Sequence, residues 1–250
     1  MPLPCSKSHA DRIGKRLARE EATGQDWDDL AEILAVYDEA KEAVLGVLRE
    51  AGIPATGRTK NTGTLLEKLR RSTSLKSVQD IAGVRVLVDG GRDLQDEIAR
   101  RVAALFGGWE AGDFVDRRAR PSNGYRAVHY IVRHEDLPVE VQIRTPLQHS
   151  WAEVIEGLAD KWGRGIRYGD GPPDPSRPIA AGVDMTRSDF WAQCLEVSDA
   201  IDVIEEAERN LDPTDTEVWL SFQEWEASVR EWFDSVATLS QYVAPYGEGG

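Results

Sequence analysis

Two carboxylates in this sequence stand where a folded sheet would ordinarily carry none. Asp80 immediately precedes the Gly-containing, Val-rich stretch IAGVRVLVD, and Glu140 lies inside VEVQIRT among apolar neighbours. Carboxylates at strand ends can hold Mg²⁺, which prefers oxygen ligands and binds through one or two carboxylates plus substrate phosphates. Positive charge is gathered in two islands. Arg58, Lys60, Lys68, Arg70, Arg71 and Lys76 face only Glu67 between residues 58 and 76, and Arg117, Arg118, Arg120, Arg126 and Arg133 cluster further on. Together these groups suit phosphoryl chemistry, where catalysis is mainly positioning and charge stabilisation. The residues alone leave a plainer reading open: Asp80 caps a turn, Glu140 makes a surface ion pair, and the islands are solvated faces.

The elements that must position these residues follow from periodicity. A helix-like pattern runs from Asp26 to about Arg49, with Leu30, Ile33, Leu34 and Tyr37 at three- and four-residue spacing, Asp26 as cap, and Gly52 and Pro54 as stops. NTGTLLEKLRRS reads as a short helix carrying the first basic island. In the strand that follows, Val84, Val86 and Val88 alternate with Arg85, Leu87 and Asp89. DLQDEIARRVAALFG reads as a crossover helix with Leu94, Ile98, Val102 and Leu105 on one stripe. Strands are expected near 113 to 118 and 127 to 134, and then in VEVQIRT, where Val139, Val141 and Ile143 face one way and Glu140, Gln142 and Arg144 the other. A helix from Pro146 to Trp162 opens with proline in its favoured first turn.

Residues 163 to 182 are rich in Gly and Pro and read as a loop. Beyond it, Phe190, Cys194, Val197, Ile201 and Ile204 form one amphipathic stripe. Val218, Phe222, Trp225, Val229, Trp232, Val236 and Leu239 form a second, preceded by Thr214 and Glu217 in capping-box spacing. The second stripe fits an internal face packed on the rest of the chain, or else a subunit interface or docking surface. The expected fold is α/β (α+β): a mixed β-sheet flanked by helices, followed by a C-terminal helical hairpin. The expected division is 1–25 as an N-terminal extension, 26–162 as the main domain, 163–186 as linker and 187–243 as hairpin.

Composition narrows the function classes. A net charge of −14 over 250 residues argues against coating nucleic acid with the whole surface. An acidic protein with basic islands reads instead as a binder of small polyanions. Cys5 and Cys194 lie far apart with no metal-ligand spacing, which fits a reducing cytoplasm. No apolar run approaches the ~18 residues needed to cross a bilayer, so no membrane association is expected.

Five separated segments resemble the RelA/SpoT-type (p)ppGpp synthetases, particularly their small single-domain members. In order they are Arg58-x-Lys60-x-x-x-Thr64-x-x-x-Lys68, Asp80-Ile-Ala-Gly-Val-Arg85, the basic stretch near Arg118, Gly124-Tyr125-Arg126-Ala-Val-His129, and Glu140-Val-Gln142-Ile-Arg144-Thr145, within residues 26 to 162. The resemblance implies a nucleotidyltransferase-like synthetase domain that moves the β,γ-pyrophosphate of ATP onto the 3′-hydroxyl of GDP or GTP and releases AMP. Arg58 and Arg85 would sandwich the donor adenine, while Lys60 and Lys68 would neutralise the triphosphate, with Thr64 keeping the hydroxyl of the usual Ser. Asp80 and Glu140 would hold Mg²⁺, and Glu140 would take the proton of the attacking hydroxyl. Gln142 would orient Glu140 or contact phosphate. Tyr125 would stack on the acceptor base, with Arg118, Arg126, His129, Arg144 and His149 around the acceptor.

The sequence departs from the family at the acceptor side, where His149 replaces a frequent Asn and Ile155-Glu156 replace a Glu-His pair. Its four histidines, His9, His129, His134 and His149, form no His-Asp dipeptide, so a synthetase without the hydrolase of the long members is expected. The acceptor could also be an adenine nucleotide, or the 3′-CCA end of tRNA in a translation-blocking toxin restrained by an antitoxin protein. A catalytically inactive binding module is the remaining alternative. The C-terminal helices would carry any homo-oligomer.

Overall fold

The structure is a computed structural model that describes residues 3–71, 74–180, 182–212 and 214–240, with the side chains of 111 and 237–240 outside the description. Residues 1–2 of the expected extension, Ala181 of the linker, Leu239 of the second stripe and residues 241–243 of the expected hairpin therefore lie outside it. The described residues fall into two compact units, one within Met1–Leu87, Glu97–Val115 and Val128–Ile143 and the other within Val88–Asp96, Asp116–Ala127 and Arg144–Gly250.

The first unit is organised by a sheet. α1 (Lys7–Ala18) is followed by α2 (Gly24–Glu50), which starts one turn earlier than Asp26 suggested. Thr23 is the N-cap of α2, and Asp26 is the third residue of a reciprocal capping box, its carboxylate also ion-paired to Arg16. Leu30, Ile33, Tyr37, Val44 and Leu48 bury one side of α2 against the sheet. β1 (Thr56–Thr59), which the sequence did not announce, pairs antiparallel with β2 (Ala82–Leu87). Its residues are mostly exposed and polar, so no apolar alternation marks it. Between them lies α3 (Thr62–Arg70), anchored by buried Leu65 and Leu69.

α4 (Arg92–Leu105) is the expected crossover helix, but its buried side runs through Gln95, Ala99 and Val102, leaving Leu105 exposed. Polar Arg92 and Gln95 take the buried positions because carboxylates and amides await them there. β3 (Asp113–Asp116), β4 (Val128–His134) and β5 (Leu137–Arg144) complete a five-stranded sheet of order β1-β2-β5-β4-β3. β4 and β5 form a hairpin whose two loop residues, Glu135 and Asp136, both have positive φ, the backbone that matches strand twist in two-residue turns. β2 and β5 rise together: Gly83 lies beside the Glu140 carbonyl, and the Val88 amide donates to Arg144 at 2.9 Å. The sheet is therefore mixed, as the sequence predicted. Val84, Val86, Val139, Val141 and Ile143 are buried, and the intervening residues form the polar face.

The second unit is helical. α5 (Pro146–Trp162) has the predicted bounds, with Thr145 as N-cap and Gln148 closing a capping box. A short 3-10 turn, Arg164–Tyr168, interrupts the glycine-rich segment. α6 (Arg187–Asn210) and α7 (Thr216–Ser240) pack against α5 around Trp151, Trp162, Phe190, Ile201, Phe222, Val229, Phe233 and Val236. The stripe of α7 is thus an internal face, rotated from the expected one: Phe233 is buried while Val218 and Trp225 are exposed. Its start differs too, because the Asp215 carboxylate accepts from the Val218 amide at 3.2 Å while Thr214 turns back onto Asp212. No described helix is long and apolar enough to cross a membrane.

Candidate functional site

In the first unit, strand pairing sets Arg58 opposite Gly83 and Arg85 opposite Thr56, so both arginines point to the polar face of the sheet. The backbone amide of Lys60 donates to Ile81 at 2.8 Å, holding the end of β1 beside the residues that lead into β2. Asn61 caps α3, accepting from the amide and hydroxyl of Thr64 at 2.8 Å each. With Leu65 and Leu69 anchored, Lys68 emerges one turn beyond Thr64 on the same side of the helix. The Nζ atoms of Lys60 and Lys68 each stand 2.6 Å from a different oxygen of Asp80. Burial pushes the Asp80 carboxyl up, but the two ammonium groups outweigh it and leave the acid below its ordinary range.

Glu140 and Gln142 project from β5, and His129 lies opposite Gln142 on β4. The Glu140 carboxylate sits between His129 Nδ1 at 2.9 Å and the Gln142 side-chain amide at 2.5 Å. Burial raises this acid and Asp80 raises it further, yet His129 and Gln142 bring it below the usual carboxylate range. The structure thus places His129 beside Glu140. Asp80 and Glu140 are the two carboxylates that could hold a divalent ion. No cluster of three or more His, Cys, Asp or Glu suited to a metal occurs among the described residues, so such an ion would draw its remaining ligands from substrate and water.

The second unit carries Tyr125, Arg118, Arg126, Arg144 and His149. Gly124 has φ +83, and a Cβ there would come within 2.6 Å of Trp151, so only glycine lets the loop lie this close to α5. Arg144 is buried beneath Tyr125: its Nη2 donates to the phenol oxygen at 2.9 Å and its guanidinium lies 5.0 Å from the ring centroid. Arg118 and Arg126, expected around an acceptor, are buried and engaged by protein groups. Arg118 binds Asp116 and Asp96, each at 2.7 Å. Arg126 reaches Ser198, Asp199 and Asp202 of α6. His149 is half-buried on α5, 3.8 Å from Glu153.

Sequence reasoning missed the buried polar group that supports this unit. Glu205 of α6 accepts from the Thr145 hydroxyl, from Gln148 at 2.7 Å and from Arg92 at 3.2 Å, and Gln95 donates to Gln148 at 2.8 Å. Its one legible signal was Gln148, the third residue after Thr145 at a proline-opened helix start. Glu205 itself looked like one of many acidic residues on an amphipathic helix.

By fold and chemistry, this is an α+β protein with a polar sheet face bearing two carboxylates, one held by lysines and the other by His and Gln. Residues 57–163 match the family model described as the region found in RelA/SpoT proteins. An uncharacterised protein of Mycobacterium tuberculosis is 46% identical over 130 residues, covering 51% of this chain and 46% of the relative. A GTP pyrophosphokinase of Bacillus subtilis is 30% identical over 124 residues, covering 44% of this chain and 58% of the relative. The chain thus spans about half the length of the curated relatives it matches. Among solved structures, small alarmone synthetase 1 of Bacillus subtilis aligns over 79% of this chain and 99% of its own, with 23% identity and a TM-score of 0.48.

Proposed function

We propose that this chain transfers the β,γ-pyrophosphate of ATP to the 3′-hydroxyl of GDP or GTP, with release of AMP, and carries no hydrolase activity. The observation that carries the reading is the pair of lysines bridged by Asp80 inside a RelA/SpoT region, on the same unit as a carboxylate aligned by His129 and Gln142. The name of the Bacillus subtilis relative, GTP pyrophosphokinase, agrees with it.

Arg58 and Arg85 receive the adenine between planar guanidinium groups, which stack on a base without losing charge. Lys60 and Lys68 exchange part of their contact with Asp80 for the triphosphate oxygens, and Thr64 adds a hydroxyl at the first turn of α3. Glu140, ionised at neutral pH and fixed from two sides, accepts the proton of the 3′-hydroxyl. As that proton moves, the 3′-oxygen bonds to the β-phosphorus and the bond from this phosphorus to the α,β-bridging oxygen breaks, its electrons leaving with AMP. Asp80 and Glu140 fit an oxygen-preferring divalent ion such as Mg²⁺: both are carboxylates, and their mutual repulsion, which raises Glu140, is what a cation would relieve. When bound, the ion polarises the donor phosphates and offsets charge in the transition state. On the acceptor side Tyr125 stacks on guanine with Arg144 beneath it and His149 nearby, while Arg118 and Arg126 hold the loop.

The test offers ATP labelled at the γ-phosphate, with Mg²⁺, to GDP, GTP, ADP, ATP and deacylated tRNA in parallel, with Glu140→Gln as control. Label on a guanine nucleotide, absent from the control, supports the reading. Label on tRNA alone overturns it in favour of a translation-blocking toxin, and label on no acceptor leaves a nucleotide-binding module.

A further inference from the structure

We infer that Ser198 of α6, which lies outside the RelA/SpoT region at residues 57–163, is a positioning residue for the acceptor loop Gly124–Arg126. The inference rests on the assignment of Tyr125 to the acceptor. Three consecutive residues carry the argument. Gly124 cannot hold itself in place through a side chain, and its positive φ, which glycine adopts as readily as a negative one, does not by itself fix the loop. Its carbonyl accepts from the Ser198 hydroxyl at 2.5 Å. Two residues on, Arg126 Nε donates to both the hydroxyl and the carbonyl of Ser198, at 3.1 Å each. Tyr125 is thus gripped from both sides by one serine that is 1% exposed.

Helix geometry extends the grip. Residues three and four apart lie on one face of a helix, and α6 turns Leu195, Ser198, Asp199 and Asp202 toward the loop. Leu195 meets the position a Gly124 Cβ would take, Asp199 stands 2.8 Å from Arg126 Nη2, and Asp202 stands 3.2 Å from Arg126 Nη1. One turn below, the Cys194 carbonyl accepts from Trp151 Nε1 at 2.6 Å, tying α6 to the same tryptophan that backs Gly124. The loop is held besides by the reciprocal pair between Ser122 and Tyr125, at 3.0 and 3.3 Å, and by Arg126 Nη1 donating to the Arg118 carbonyl. The Ser198 hydroxyl therefore joins both flanks of Tyr125 to a helix beyond residues 57–163, alongside the Asp199 and Asp202 ion pairs, and α6 is part of the acceptor apparatus.

The experiment compares wild type with Ser198→Ala and with Asp199→Asn, whose side chain is 76% exposed and whose replacement leaves the core untouched. Two readouts are taken: KM for GDP against KM for ATP, and amide hydrogen exchange of the peptide spanning residues 122–127. Ser198→Ala is expected to raise KM for GDP about tenfold, the effect of one buried hydrogen bond, with KM for ATP unchanged and faster exchange in the loop. Asp199→Asn is expected to shift KM for GDP about twofold in the same direction. Unchanged loop exchange in Ser198→Ala, or equal rises in both KM values, overturns the inference. If wild type transfers no label to any acceptor, the pyrophosphokinase reading falls. The hydrogen-exchange arm still decides whether Ser198 holds the loop.

Discussion

The polar face of the sheet and the Gly124–Arg126 loop both present residues expected to meet a nucleotide, yet they are held by different physics. On the sheet, charged groups rest on one another while keeping part of their surface in water: Lys60 and Lys68 are 21% and 28% exposed and share an Asp80 that is 24% exposed. Pairs that keep some solvent contact can trade a protein partner for water or a ligand at less cost than fully buried ones. The loop is fixed instead by groups taken out of water, Ser198, Arg126 and, behind them, Arg92 and Glu205. Such contacts are costly to break because the abandoned partner stays buried. A site that must neutralise a mobile triphosphate can use cations already paired with a replaceable carboxylate. A site that must orient one hydroxyl needs a loop that does not move.

The comparison is broken most severely at Glu140. Glu140→Gln keeps the shape and the Gln142 contact but removes the base, and is expected to lower kcat roughly 10²–10⁴-fold with thermal stability retained; a variant of near-normal kcat removes Glu140 from the chemistry. Next comes Glu205→Ala, which strips Thr145, Gln148 and Arg92 of a shared acceptor. It is expected to cost about 3 kcal/mol in denaturant unfolding, since Arg92 keeps Asp202 and Glu206. Gly124→Ala should cost about 2 kcal/mol, from left-handed backbone and the approach to Trp151, and should weaken GDP binding while sparing ATP binding.

A smaller effect sharpens the sheet side. Because the folded Asp80 titrates below its ordinary value of 3.8, the unfolded chain takes up its proton first as the medium is acidified. The stability it lends is fully present above that value and is lost as pH falls through the lower folded one. Wild type should therefore lose stability relative to Asp80→Asn below about pH 4, and parallel profiles would refute the lysine pairing. Least of all should Trp225→Ala matter, within about 0.5 kcal/mol, whereas Phe233→Ala should cost about 3 kcal/mol, measured by chemical denaturation.

What the sequence disclosed follows the same division. Alternation in VEVQIRT exposed Glu140 and Gln142 because one face of β5 is wholly apolar, and proline at residue 146 marked the start of α5. β1 was hidden because an exposed edge strand needs no apolar pattern. The stripe of α7 was drawn through Trp225 rather than Phe233 because size and hydrophobicity do not tell which of two neighbouring faces meets a partner. Buried Arg92, Gln95 and Glu205 carried no mark in the sequence, since long-range pairing between α4 and α6 leaves no local trace. The reactive groups were visible, and their supports were not.

The most direct test of this division is a crossed kinetic measurement of KM for ATP and for GDP in Lys68→Gln and Tyr125→Ala. The account predicts that Lys68→Gln raises KM for ATP about tenfold or more and leaves KM for GDP within about twofold, with the reverse for Tyr125→Ala. Equal changes in both constants for either variant would contradict it.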